Sequence, residues 1–194
     1  MTLRSQAKAD RRAAILDAAA TMFARRGFNG SSIEDLGAAV GMSGPALYRH
    51  FASKQAVLGA VLVETSESLL RGGQSVVHDA PDAETALDRL IAFHVDFSIS
   101  RSDVIAVQDR DLDSLSDDDR RAVRTLQLDY VKIWGDVVRQ LRSGLDEPEA
   151  RVRVQAAFGL MNSTPHSLKR RRGLPSAESA RPLLETMTRA ALLA

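Results

Sequence analysis

Apolar residues return every three or four positions through most of this 194-residue chain, and nowhere do they alternate convincingly with polar ones. The first stripe is Ile15, Ala19, Met22 and Phe23 within 10-DRRAAILDAAATMFARRG-27, a helix that Gly27 stops. Ser31 and Ser32 precede 33-IEDLGAAV-40 with an acid three residues on from each serine, so a short helix is capped near Ser32 and ends at Gly41. Ser43 caps a further helix that takes Gly44 and Pro45 into its first turn, where proline's missing N–H costs nothing. Ser53 starts a longer one with Leu58, Val61, Leu62, Thr65 and Leu69 on one face. That helix is expected to fray at Gly72-Gly73 and pass into a linker, 74-QSVVHDAP-81.

Beyond the linker, Asp82 opens a helix striped by Leu87, Leu90, Ile91, His94 and Phe97. A short helix follows over 103–111, and 112-LDSLSDDD-119 reads as a loop ending in an acidic cap. From Asp117 to Arg142 the apolar stripe is Val123, Leu126, Tyr130, Ile133, Trp134, Val137 and Leu141, and Gly144 stops it. Asp146 with Pro148 starts another helix, expected to break near 163-STP-165, and Gly173-Leu174-Pro175 closes that region. Ser176 or Ser179 opens the last, through Leu183, Leu184, Met187 and Ala190. The expectation is an all-α protein of about nine helices with no internal repeat.

Composition is ordinary for a soluble globular chain, at 44% hydrophobic and 26% charged residues. Charge adds more. Residues 1–55 hold eight Lys/Arg against four Asp/Glu, net +4, whereas the rest of the chain is net −3. A basic first quarter suits a polyanion partner, though a solvated face accounts for a surplus of this size too. Cysteine is absent, no apolar run approaches membrane-spanning length, and MTLRSQAKADRR lacks the apolar core of a signal peptide. A cytoplasmic protein without membrane contact is expected.

The stretch 33–51 has the grammar of a helix-turn-helix: a short helix, a turn at Gly41, a second short helix. Ile33, Leu36 and Val40 would meet Met42, Leu47 and Phe51 across the turn, leaving Tyr48, Arg49 and His50 outward. An ordinary helical hairpin has the same spacing. The residues themselves say more. In 15-ILDAAATMFARRGFNGSSIEDLGAAVGMSGPALYRHFASKQAVLGAVL-62 the pattern I-L-x-A-A, F-x-x-x-G-F, S-x-x-D-L and G-M-S-x-x-x-L-Y-x-H-F-x-S-K resembles the DNA-binding domain of the TetR family of bacterial transcriptional regulators.

That resemblance implies a homodimer, a palindromic double-stranded operator, and recognition helices entering successive major grooves. It divides the chain into a DNA-binding domain, 1–55, and a ligand-binding and dimerisation domain, 56–194. Ser32 matches the family's hydroxyl at the cap of the second helix, facing a phosphate. Ser43, Gly44, Pro45 and Ala46 match the slim start of the recognition helix; Tyr48 and His50 match its phosphate-holding aromatic and histidine; Lys54 matches a lysine at the start of the fourth helix, a further phosphate contact. Many members carry Lys or Arg where this chain has Gly44, and Arg49, at a variable site, would take over by pairing with a guanine. Arg4, Lys8, Arg11 and Arg12 either reach DNA backbone or form a solvated arm.

In the second domain the resemblance is architectural. An apolar pocket for a small hydrophobic ligand would draw on Phe93, His94, Phe97, Tyr130, Trp134 and Asn162, although a histidine on an apolar stripe is more commonly a hydrogen-bonded core residue. The run 169-KRRR-172 is either charge at a helix C-terminus or a grip on an anionic ligand such as the phosphates of an acyl-coenzyme A, to whose regulators 160-LMNSTPHSLKR-170 bears a faint likeness. The last two helices would form a four-helix dimer interface. No G-x-S-x-G, H-E-x-x-H or phosphate-binding glycine loop occurs, and His78, His94 and His166 are dispersed, so neither catalysis nor a cofactor nor a metal is expected. The rival readings are a helical module that dimerises and binds ligand or protein without DNA, and, more remotely, a small all-α enzyme.

Overall fold

The computed structural model describes residues 3–169 and 176–194, without the side chains of Leu3, Arg4, Pro165, His166 and Lys169. The readings of Arg4, His166, the basic run 169–172 and the stop at 173–175 therefore lie outside the described residues. Among those described, the regular structure is entirely helical. The helices are α1 (Leu3–Arg26), α2 (Ile33–Ala39), α3 (Gly44–Tyr48), α4 (Lys54–His78), α5 (Ala83–Ser100), α6 (Ser102–Asp111), α7 (Asp117–Leu141), α8 (Glu147–Lys169) and α9 (Ala177–Leu193). A 3-10 turn, Leu112–Ser114, precedes α7.

Side-chain caps set most of the starts. Ser32, Ser43, Asp82 and Ser176 each accept the N–H three residues on, and Ser53, Ser116 and Asp146 do the same for α4, α7 and α8. Gly27, Gly41 and Gly144 carry the positive φ values that end their segments.

Two expected breaks are not breaks. Helix α4 runs straight through Gly72-Gly73 to His78, where fraying and a linker were expected. A Cβ on Gly72 would strike the tip of the Phe93 ring, and one on Gly73 would lie 2.6 Å from the Tyr130 ring. These glycines are close-packing points for two aromatic rings, and the packing outweighs their low helix propensity. Helix α8 likewise continues past 163-STP-165. Pro165 takes the helical donor from the Met161 carbonyl, and one residue earlier the Thr164 hydroxyl donates to the Leu160 carbonyl at 2.7 Å.

The chain packs as two compact units, Met1–Thr65 with Asp103–Arg124, and Ser66–Ser102 with Thr125–Ala194. In the first, Ile15, Ala19 and Phe23 of α1, Leu36, Leu47, Val57, Leu58 and Val107 are fully buried in one core. In the second, Leu87, Leu90, Val95, Trp134, Val138, Val154, Ala157, Met161 and Leu192 form another, with α5, α8 and α9 packed on one another.

Candidate functional site

The helix-turn-helix is built on two glycines with different tasks. Gly41 takes φ +66° at the turn, a conformation that costs other residues strain. Gly37, inside α2, lets the turn close: a Cβ there would stand 2.7 Å from the Met42 carbonyl oxygen, and the Met42 N–H bonds the Gly37 carbonyl at 2.8 Å. Leu36 and Leu47 are wholly buried and Ile33 and Phe51 nearly so, so the apolar half of the motif is consumed by the core.

What remains faces outward. Tyr48 is 51% exposed, Arg49 is exposed and His50 half-buried. Among the described residues none of these three side chains meets a hydrogen-bond or ion-pair partner. Ser43 and Pro45 are exposed, and Ala46 and Gly44 half-exposed. Gly44 is not required by the fold, because a Cβ there would find only Glu34, at an ordinary 3.8 Å. Ser32 and Ser43 use their hydroxyl oxygens to cap α2 and α3, accepting from Asp35 at 3.0 Å and Ala46 at 3.3 Å.

Lys54, expected at a phosphate, and Arg12, expected either at DNA backbone or in a solvated arm, both have internal duties. Lys54 Nζ donates to the carbonyls of Phe28 and Ser31, both at 2.8 Å, and sits 4.3 Å from the Phe28 ring centroid. Two of its three donors are thus committed to the α1–α2 turn. Arg12 lies 4.6 Å over the Phe51 ring and pairs with Glu64, and α1 is helical back to Leu3. Lys8 and Arg11 are exposed.

In the second unit, His94 of α5 is the hub of an aromatic centre. Its ring stacks on Phe158 at 4.4 Å and 5°, with Tyr130, Trp134 and Phe97 rings at 5.8, 5.9 and 5.8 Å. Nε2 lies 3.1 Å from the Asn162 side-chain oxygen and Nδ1 3.3 Å from the Tyr130 hydroxyl. With Nε2–H donating to Asn162, Nδ1 accepts from Tyr130, and the neutral ring is fully satisfied. Burial pushes the imidazole down to about 4 against a partial offset from the Asn162 bond, and burial raises the Tyr130 phenol. Trp134 is fully buried, and its indole N–H has no acceptor at full hydrogen-bond geometry among the described residues, though it bears on the Tyr130 hydroxyl closely enough to offset part of that rise.

The structure therefore brings His94, Phe97, Tyr130, Trp134 and Asn162 together, while Phe93 turns its ring onto Gly72. Phe158 was missed, although it stands one turn before Asn162 on α8 and the i, i+4 rule could have found it. Among the described residues no His, Cys, Asp or Glu cluster could hold a metal ion, and no helix is long and apolar enough to cross a membrane.

A capped helix-turn-helix with an unengaged polar tip, preceding a helical body with an aromatic centre, defines a DNA-binding regulator of the all-helical class. A family model for bacterial regulatory proteins of the tetR family matches residues 15–61, and one for the tetracyclin repressor-like C-terminal domain matches residues 80–166. The chain belongs to the TetR family of transcriptional regulators, whose members are regulators and not enzymes. The HTH-type transcriptional repressor KstR2 of Rhodococcus jostii (strain RHA1) is 26% identical over 160 residues, 81% of this chain and 77% of the relative. A TetR-family regulator from Bordetella parapertussis superposes with a TM-score of 0.79 at 27% identity, over 91% of this chain and 93% of that one. AibR, solved with isovaleryl coenzyme A and operator DNA, shares the fold with a TM-score of 0.74 at 21% identity, over 91% and 97% of the two chains.

Proposed function

We propose that this regulator is a cytoplasmic homodimeric repressor that a hydrophobic, acyl-coenzyme A or lipid-derived effector releases from a palindromic operator. The observation that carries the DNA-binding surface is the outward set Tyr48, Arg49 and His50, charged and polar groups left unengaged on a motif whose large apolar residues Ile33, Leu36, Leu47 and Phe51 are consumed by the core. Tyr48 and His50 hold phosphates, Arg49 reads a guanine, and Ser43, Gly44, Pro45 and Ala46 keep the tip slim against the base edges. Ser32 meets a phosphate beside its cap bond, and Lys54 has one donor left for another.

DNA contact is assigned to 1–55, and effector binding and dimerisation to 56–194. The effector centre is the cluster around His94, with Phe93 at its edge; the indole N–H of Trp134 offers an acyl carbonyl a donor. The second copy covers α8 and α9, where Val152, Leu183 and Met187 are 67%, 63% and 47% exposed. In the DNA-bound state the two α3 helices stand about 34–36 Å apart, matching successive grooves, and the effector stabilises a spacing that does not match.

Fluorescence anisotropy with DNA from upstream of the chain's own coding sequence tests this. Tight binding weakened by added salt, and reversed by long- or short-chain acyl-CoA but not by free coenzyme A, is the expected result. Absence of binding to any DNA at low salt sinks the operator reading. Binding that no acyl-CoA reverses sinks the effector class alone.

A further inference from the structure

Helix α6 carries one side chain that serves two elements at once. Arg110 donates through Nη1 to the Ala24 carbonyl at 3.2 Å and through Nη2 to the Phe23 carbonyl. Both carbonyls belong to the last turn of α1, where helical N–H partners run out: Phe23 still accepts the Gly27 N–H at 2.8 Å, and Ala24 lies one residue beyond that last bond. The same guanidinium forks onto Asp111, with Nη2 2.8 Å and Nε 3.2 Å from Oδ2. Asp111 is only 7% exposed, so the acid is itself held in place and orients the fork. At the start of α6, Asp103 accepts from the Thr21 hydroxyl at 3.0 Å. One helix thus grips the end of α1 at two points.

The grip continues on the other side of the same turn. Lys54 holds the Phe28 and Ser31 carbonyls, and the Ser31 hydroxyl holds the Gly27 carbonyl at 2.8 Å. The turn from Gly27 to Ser31 is therefore fastened upstream by Arg110 and downstream by Lys54. Ser32, the cap of α2, is the next residue. At seven residues α2 is too short to fix its own direction, and α3 at five is shorter still, so the placement of both depends on what fastens the turn that feeds them.

We propose that Arg110, oriented by Asp111, is a positioning residue for DNA binding: it fixes the α1–α2 turn, and through it the seat of α2 and α3, without touching DNA. The proposal rests on the DNA-binding reading above. Full-length wild type, Arg110→Gln, Arg110→Lys and Asp111→Asn are compared by amide hydrogen exchange without DNA and by operator titration at several salt concentrations. Arg110→Gln speeds exchange across residues 27–36 and weakens operator binding by about tenfold, the scale of one lost charged hydrogen bond. Its salt dependence stays that of wild type, because no phosphate contact is lost. Arg110→Lys, which reaches the carbonyls without the fork, restores part of both, and Asp111→Asn falls between.

Exchange across 27–36 within twofold of wild type in Arg110→Gln overturns the proposal, as does wild-type operator affinity despite faster exchange. A shallower salt slope overturns it in favour of a direct phosphate contact. Should Arg110→Gln fail to fold, Arg110→Lys and Asp111→Asn decide by the same readouts. If wild type binds no DNA, the operator reading falls and the proposal with it; if wild type binds and Arg110→Gln binds equally, only the proposal falls.

Discussion

The molecule uses a tyrosine and a histidine twice, in opposite ways. Tyr48 and His50 stand on and just after α3 with their side chains unengaged, whereas Tyr130 and His94 are buried and bonded to each other. The residue types are the same, and surroundings decide what they can do. A polar group in water loses little by waiting for a partner, so the first pair suits a ligand that arrives from outside. A polar group in a core must be satisfied at once, so the second pair is closed into a network with Asn162, and the neighbouring Trp134 keeps an indole N–H without a well-formed bond among the described residues.

The largest expected effect separates the pairs by pH. Because burial lowers the folded-state His94 below its ordinary 6.5 to about 4, the unfolded chain takes up a proton between those values that the folded chain refuses. Stability from this group is complete above pH 6.5 and is lost progressively toward pH 4, by up to about 3 kcal/mol. Urea unfolding of wild type and His94→Gln across this range should give curves that converge at low pH; parallel curves would mean that His94 titrates freely.

Gly73→Ala attacks the same centre from α4. A methyl 2.6 Å from the Tyr130 ring forces the ring or the helix aside, at a cost of about 1–3 kcal/mol in chemical unfolding. A neutral result would show that the ring is free to turn away. On the exposed face, Arg49→Ala should cost about 1–3 kcal/mol only on operators that keep the cognate guanine, while Tyr48→Ala weakens every operator alike. Equal losses across an operator panel would erase that distinction. The smallest effect is on folding: Gly44→Ala should shift stability by less than about 0.5 kcal/mol, since its Cβ meets open space and one ordinary contact, and a larger loss would contradict a purely DNA-facing role for Gly44.

Local chemistry explains which parts of this architecture could be read directly from the chain. Serine and aspartate caps act within three residues, so the starts of α2, α3, α4, α5 and α8 were legible, as was the burial of Leu36, Leu47 and Phe51 by periodicity. Gly72-Gly73 misled because a glycine pair has the same appearance whether it breaks a helix or admits a neighbour's ring, and Phe93 and Tyr130 come from α5 and α7. The internal bonds of Lys54 and Arg12 leave no local trace, because their acceptors, the Phe28 and Ser31 carbonyls and Glu64, are separated from them by more than twenty residues. Arg110 had no signal at all: its acceptors on α1 are backbone carbonyls, which every sequence possesses.

The aromatic centre has one more property. Trp134 is the chain's single tryptophan, and it lies wholly shielded from solvent against His94, Tyr130 and Phe158. On excitation at the red edge, where its two tyrosines do not absorb, the intrinsic fluorescence of this protein therefore comes from that one indole. Any molecule or water that enters the centre alters the emission, and α1 to α3 contain no indole of their own to blur it. The regulator carries an optical reporter for the proposed effector centre, needing no label.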